Sequence, residues 1–207
     1  MNSLVDLIIY LPAILIAITF HEYAHGRVAY ALGDDTPRLQ GRLTVNPLPH
    51  IDWIGFAMLF IFHFGWAKPV QVNPYNFKHI SIKQGMMLVS LAGPGMNLLL
   101  AFLALILMRI LIPFQSSETV VISLQLLQPL VSINIILAAF NLIPLPPLDG
   151  SKILAGILPD SGARLMYGLE QYGFVILMLL IITGMASKIF MPIANFLYKL
   201  LASMVIF

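Results

Sequence analysis

Residues 20–26 read FHEYAHG and close the apolar run LIIYLPAILIAIT at residues 7–19. Each unpaired polar group is expensive in lipid, and ionisable residues inside a span are functional by default. Helical character runs unbroken over residues 4–32 apart from Pro12, and Gly33-Asp34-Asp35 supplies the stop. At 1.5 Å per residue, such a helix reaches about 43 Å, longer than the roughly 30 Å hydrocarbon core. It emerges into water beyond its histidines, so His21 sits inside the membrane near the far edge.

The rest of the composition agrees. Hydrophobic residues make up 59% of the chain and charged residues only 10%, against about 25% charged in soluble domains. This predicts an all-α, polytopic membrane protein. A length of 207 residues holds one domain of roughly four to six spans and leaves little for a soluble module. Net charge of +2 comes from scattered basic residues; no basic stripe suggests nucleic acid, and a nucleic-acid partner is excluded. Cysteine is absent, which removes disulfides and thiolate ligands, so any metal is held by nitrogen and oxygen. The first seven residues lack Lys and Arg, and the N-terminus reads as a retained span rather than a cleaved signal.

These patterns lay out a single integral membrane domain over residues 1–207. A first core span covers 1–32, and a polar, Pro- and Gly-rich segment covers 33–84. A second core span follows at 85–112, interrupted by Gly93-Pro94-Gly95, then a third at 120–158 and further hydrophobic helices at 171–207. Within the polar segment, RLQGRLTV (38–45) and KPVQVNP (68–74) alternate as strands do, so this part is expected to be β-rich. Residues 53–66, bracketed by Trp53 and Trp66, are apolar but too short to cross and read as a re-entrant or interfacial piece. After residue 160 the apolar runs 172–185 and 189–207 could each cross or could pair as a hairpin. Six basic residues, Arg27, Arg38, Arg42, Lys68, Lys78 and Lys83, share one side with Lys152 and Arg164, whereas residues 113–119 carry none. That side is expected to be cytoplasmic, with the N-terminus outside.

On a helix, residues four apart lie on one face, one turn apart. His21 and His25 can therefore share one ion, with Glu22 projecting beside them. H-E-x-x-H uses that arrangement to supply two zinc ligands and a general base. The bland alternative is that the three groups pair with one another to hold helices together. A catalytic zinc keeps three protein ligands and one open position, so a third must come from elsewhere. Asp6 lies at the opposite membrane side, Glu118 in the outer loop, and Asp34, Asp35, Asp52, Asp160 and Glu170 in polar surroundings. Asp149 alone follows a buried span. Its prelude, Pro144-Leu145-Pro146-Pro147-Leu148, cannot continue a regular helix, and unwound backbone at membrane depth is tolerated only where it is packed in protein or lines a wet cavity. The alternative is that Asp149-Gly150 merely makes a turn and caps the helix that follows.

HEYAH near the end of a first span, with NLIPLPPLDG (141–150) over a hundred residues later, resembles the site-2 protease family of intramembrane zinc metalloproteases. The segment GRLTVNPLPHIDWIGF followed by FGWAKPVQVNP is similar to that of compact prokaryote-type members lacking a PDZ domain. The resemblance implies three core helices carrying one Zn2+ per chain, with His21, His25 and Asp149 as metal ligands and Glu22 as catalytic base. It implies that a zinc-activated water is deprotonated by Glu22, which later returns the proton to the leaving amine. Asn141 belongs to the same motif and could bind the extended substrate or orient Asp149. Partners implied are the lipid bilayer and transmembrane protein or peptide substrates, whose helix must unwind before cleavage; residues 38–72 could hold the unwound piece by strand pairing. A prokaryotic plasma membrane, with the site towards the cytoplasm, is the expected location. Two features depart from the family pattern: Ser151 stands where many members have a second glycine, and no PDZ domain selects substrates.

A rival reading is a catalytically silent metal-binding scaffold or a metal transporter. Transport would spread ionisable residues between both faces, whereas here they gather at one. Outside the motif, His50 with Asp52 reads as a surface turn, His63 as interfacial, His79 as solvated, and Asn97 and Asn134 as hydrogen bonds between helices at least as readily as anything else.

Overall fold

The computed structural model describes residues 4–62 and 65–205; His63 lies outside them. Helix α1 (Leu4–Ala31) ends where the sequence places its stop, and Gly33 takes a φ of 107° that only glycine adopts without strain. The chain then turns on Asp34, which is fully buried. Its Oδ1 accepts from the Thr36 hydroxyl (2.6 Å), the Thr36 amide (3.1 Å) and Asn76 Nδ2 (2.8 Å), and its Oδ2 from the Asn73 amide (2.7 Å). Burial alone raises this carboxyl, but hydrogen bonds from Thr36, Asn76 and Asn73 outweigh it and hold the group below the usual carboxylate range.

Between residues 33 and 81 lie the short helix α2 (Thr36–Leu39) and the ten-residue α3 (Trp53–Phe62). The expected strands do not form. Among the described residues the segment carries one isolated antiparallel bridge, Ile51 to Ala67, and no named strand. Prolines at 37, 47, 49, 69 and 74 remove ladder donors, and much of the remaining backbone is claimed by the side chains of Asp34, Arg42 and Glu22. The piece between Trp53 and Trp66 returns beside α1: Gly55, Phe56 and Trp66 share a small cavity with Ile14, Ile18 and Thr19.

Helix α4 (Ile82–Leu111) opens on Ser81, whose hydroxyl caps the Gln84 amide. It runs unbroken through Gly93-Pro94-Gly95, where an interruption was expected, with Pro94 held inside the helix. A 3-10 turn at Ile112–Phe114 leads into α5 (Glu118–Asn141). Helices α1 and α5 both pack antiparallel to α4, and small residues such as Ala17, Ala101, Ala104, Ala138 and Ala139 are buried at the seams. The proline run stops α5, so the expected third span of 120–158 is two helices, α5 and α6 (Asp149–Ile157), joined by non-helical backbone. Helix α7 (Asp160–Ile182) starts earlier than the expected residue 171, and Gly184, at φ 71°, turns it into α8 (Met185–Val205).

Among the described residues, four helices are long and apolar enough to cross a membrane: α4 with its 3-10 extension, α5, α7 and α8. The protein is an integral, multi-pass membrane protein. Ala194 of α8 joins Ala101, Ala104, Val131, Ile135 and Ala139 in the core between α4 and α5, with Leu197 and Leu201 packed against it. Phe190, nearer the start of α8, meets Phe140 near the end of α5 at 5.9 Å. Helix α8 therefore runs antiparallel to α5 and parallel to α4.

Candidate metal centre

Four elements build the site: α1, α4, the first turn of α6 and the backbone near residue 70. His21 and His25 share one face of α1, their rings edge to face at 4.6 Å. Asn97 Nδ2 donates to the Ala17 carbonyl (3.1 Å) and to Asn134 Oδ1 (2.8 Å). Its Oδ1 is left to accept, at 2.6 Å, from His21 Nδ1, which therefore carries the proton. His25 Nδ1 faces the Val89 carbonyl at 2.7 Å, an acceptor only, so it too carries a proton. In the neutral imidazoles both Nε2 atoms then present lone pairs, and they sit 3.0 Å apart.

Asp149 completes the group. Its Oδ2 lies 3.3 Å from each of those Nε2 atoms and has no hydrogen-bond donor although it is buried. No side chain caps α6, so Asp149 does not serve as the helix cap that was its alternative reading. Gly150 explains its approach: a Cβ there would fall 2.3 Å from the Ile143 carbonyl oxygen, so only glycine lets α6 begin against the end of α5. Ser151, in the position of the second glycine, is buried and satisfied by the Leu148 carbonyl at 2.7 Å, away from the cluster.

Three converging acceptors repel one another unless a cation or protons lie between them. Their donor atoms all fall within 4.8 Å of one another and could hold a metal ion. Tetrahedral zinc with bonds of roughly 2.0–2.1 Å needs donor atoms about 3.3 Å apart; the observed separations are 3.0, 3.3 and 3.3 Å. The residues present fit the ion.

Helix α4 passes this cluster at Gly93, where an added Cβ would lie 2.4 Å from His25 Nε2 and 2.6 Å from His21 Cε1. Glu22 is buried, and its Oε2 accepts from the Val70 amide at 2.8 Å. His21 and Glu22 open onto a cavity of about 460 Å³. Its other walls include Ala67 and Pro69, Phe140 and Asn141, Pro147, and Phe174, Leu177 and Met178 of α7. Asn141 reaches this cavity, but its Nδ2 donates to the Leu137 carbonyl at 3.0 Å rather than to Asp149.

A relative named "Putative zinc metalloprotease YwhC", from Bacillus subtilis, is 37% identical over 185 residues, covering 88% of this chain and 84% of its own. A model of the family described as Peptidase family M50 matches residues 109–183. The chain belongs to peptidase family M50, the site-2 protease family. A second relative, named "Putative zinc metalloprotease Rip2" from Mycolicibacterium smegmatis, is 29% identical over 187 residues, 89% of this chain and 70% of its own. A third, from Methanocaldococcus jannaschii and likewise named for zinc metalloprotease activity, is 32% identical over 152 residues, 73% of this chain and 72% of its own. No solved structure matches the chain.

Within this M50 chain, sequence reading assembled the His-His-Asp group and read Asn97 as a hydrogen bond between helices, which it is, but missed its bond to His21, the close approach at Gly93, the Val89 carbonyl and the Val70 amide that holds Glu22. The stretch AGPGMN at 92–97 held the signal for two of them. Small residues and a lone amide amid an apolar run mark a place where another polar group comes close. Backbone donors carry no such mark.

Proposed function

We propose that this chain is an intramembrane zinc metallopeptidase that hydrolyses peptide bonds in or near transmembrane segments of other membrane proteins. The observation that carries the reading is the His21–His25–Asp149 cluster: three acceptors whose other hydrogen-bonding capacity is already committed or absent, reached through His21 and Glu22 from an apolar cavity. A site lacking thiolates and built of two imidazoles and a carboxylate suits catalytic zinc, which keeps an open position. Zinc held there polarises a carbonyl and lowers the pKa of a water to about 7.

The chain's own groups do the rest. Glu22 has Oε2 committed to the Val70 amide, which leaves Oε1 to take the proton of the attacking water and hand it to the leaving nitrogen. Asn97 and Val89 fix both imidazole rings and their tautomers. Non-helical backbone at residues 65–69 lines the cavity and offers an unwound substrate segment a partner for its amide groups, while Phe174, Leu177 and Met178 face its side chains. Helix α1 crosses as well, carrying the site towards the cytoplasmic side of a prokaryotic plasma membrane by the distribution of basic residues.

The test joins metal content with cleavage. Purified protein should carry about one zinc per chain, lost in His21→Ala and Asp149→Ala. Glu22→Gln should keep the zinc and lose at least about 100-fold in cleavage of a membrane-embedded peptide. Full cleavage by Glu22→Gln would sink the mechanism; a metal-free parent after chelator-free purification would sink the site.

A further inference from the structure

His50, read from sequence as part of a surface turn, is fully buried, and so is Arg42 at 4% exposure. His50 Nε2 faces the Thr44 carbonyl at 2.9 Å and must donate to it, which leaves Nδ1 to accept from Arg42 Nη2 at 3.3 Å. Nη2 also donates to the Lys68 carbonyl (2.5 Å) and Nη1 to the Pro69 carbonyl (3.3 Å). The Lys68 amide in turn donates to the His50 carbonyl at 3.0 Å. One guanidinium thus clips residues 42–51 to residues 67–69, and the very next amide, that of Val70, holds the Glu22 carboxylate.

Burying a cation costs several kcal/mol unless it is paired. Arg42 makes no bond to a carboxylate, and its Nε is buried without a partner. Burial lowers its guanidinium, opposed by the negative charge of Glu22. A clip between two backbone segments does not need a charge; the nearby Glu22 gives this one a use.

We propose that Arg42, locked by His50, is a positioning residue for Glu22. It fixes the peptides at 68 and 69 so that the Val70 amide aims the carboxylate. The inference rests on Glu22 being the base, and the experiment separates the two.

Arg42→Lys, His50→Leu and His50→Gln are compared with the parent for zinc content, kcat and KM on one membrane-embedded peptide. Arg42→Lys and His50→Leu should retain about one zinc and the parental KM while kcat falls about 10- to 100-fold, the scale of a small misplacement of a catalytic group. His50→Gln, which can still accept from Arg42 and donate to Thr44, should restore kcat to within a few-fold. Adding Arg42→Lys to Glu22→Gln should slow residual cleavage no further, because both act on one group. Parental kcat in Arg42→Lys, or a loss of zinc that tracks the loss of activity in both loss variants, would overturn the proposal. If Arg42→Lys fails to fold, the contrast between His50→Leu and His50→Gln decides. A parent that holds zinc and loses nothing with Glu22→Gln would fail the base assignment itself, whatever Arg42 does.

Discussion

Asp34 shows what one buried carboxylate does outside the membrane. Four donors converge on it from residues 36, 73 and 76, so it ties the return of the polar segment to the end of α1. Its native-state value is depressed. The stability it contributes is therefore fully present above the ordinary carboxylate value of about 3.9 and lost as pH falls through the lower native value. Asp34→Asn should destabilise by about 1.5–3 kcal/mol near neutral pH, and the gap from the parent should close below about pH 4. Thermal melts in detergent across that range check it; a gap independent of pH would mean that the charge plays no part. Asp34 was legible as a turn residue but not as a hub, because Asn73 and Asn76 reach it from about 40 residues away along the chain. His21, His25 and Glu22 were legible because helix geometry fixes their mutual placement locally. Asp149 needed a long-range argument; Asn97 was legible as an amide between helices but not as the partner of His21, and Arg42 carried no signal at all.

At the scale of elements, α4 is shaped around the site it passes. Alanine in place of glycine within a helix ordinarily stabilises by about 0.5–1 kcal/mol. Gly93→Ala should do the reverse to the centre, since its Cβ would meet both imidazoles: zinc is lost or greatly weakened, while the helix itself persists. Metal content and circular dichroism together read this, and unchanged zinc would mean that α4 can back away from α1. The polar segment taught the opposite lesson. Its alternation of residues pointed to strands, yet prolines and side chains that capture backbone groups left a single bridge. Period-2 patterning reports which residues face inward, and it cannot report whether a neighbouring strand exists to pair with.

Over the whole molecule, length and hydropathy admit α7 and α8 equally as spans, but packing separates them. Helix α8 runs alongside α4 from Phe190 near Phe140 to Leu201 in the core between α4 and α5. Helix α7 keeps company with the end of α5: Leu177 packs with Ile143 and Leu148, and an added Cβ at Gly173 would fall 2.6 Å from the Pro146 carbonyl oxygen. The expected topology is four crossings, α1, α4, α5 and α8, with α7 starting and ending on the side of α6, cytoplasmic by the basic residues, and residue 204 on the other side. The chain lacks cysteine, so Met204→Cys and Lys78→Cys can be labelled in intact cells with a membrane-impermeant reagent. Label on Met204→Cys but not on Lys78→Cys fits four crossings; protection of Met204→Cys would place α7 across the membrane. The donors of the cluster come from α1 and α6, which α4 and α5 separate along the chain, and their orienting groups from α4. A chain whose α6 has not yet docked against α1 therefore lacks the third donor and has no place for the ion, and the proposed hydrolysis waits on that docking, which keeps the nascent protein harmless to its neighbours until residue 149 arrives.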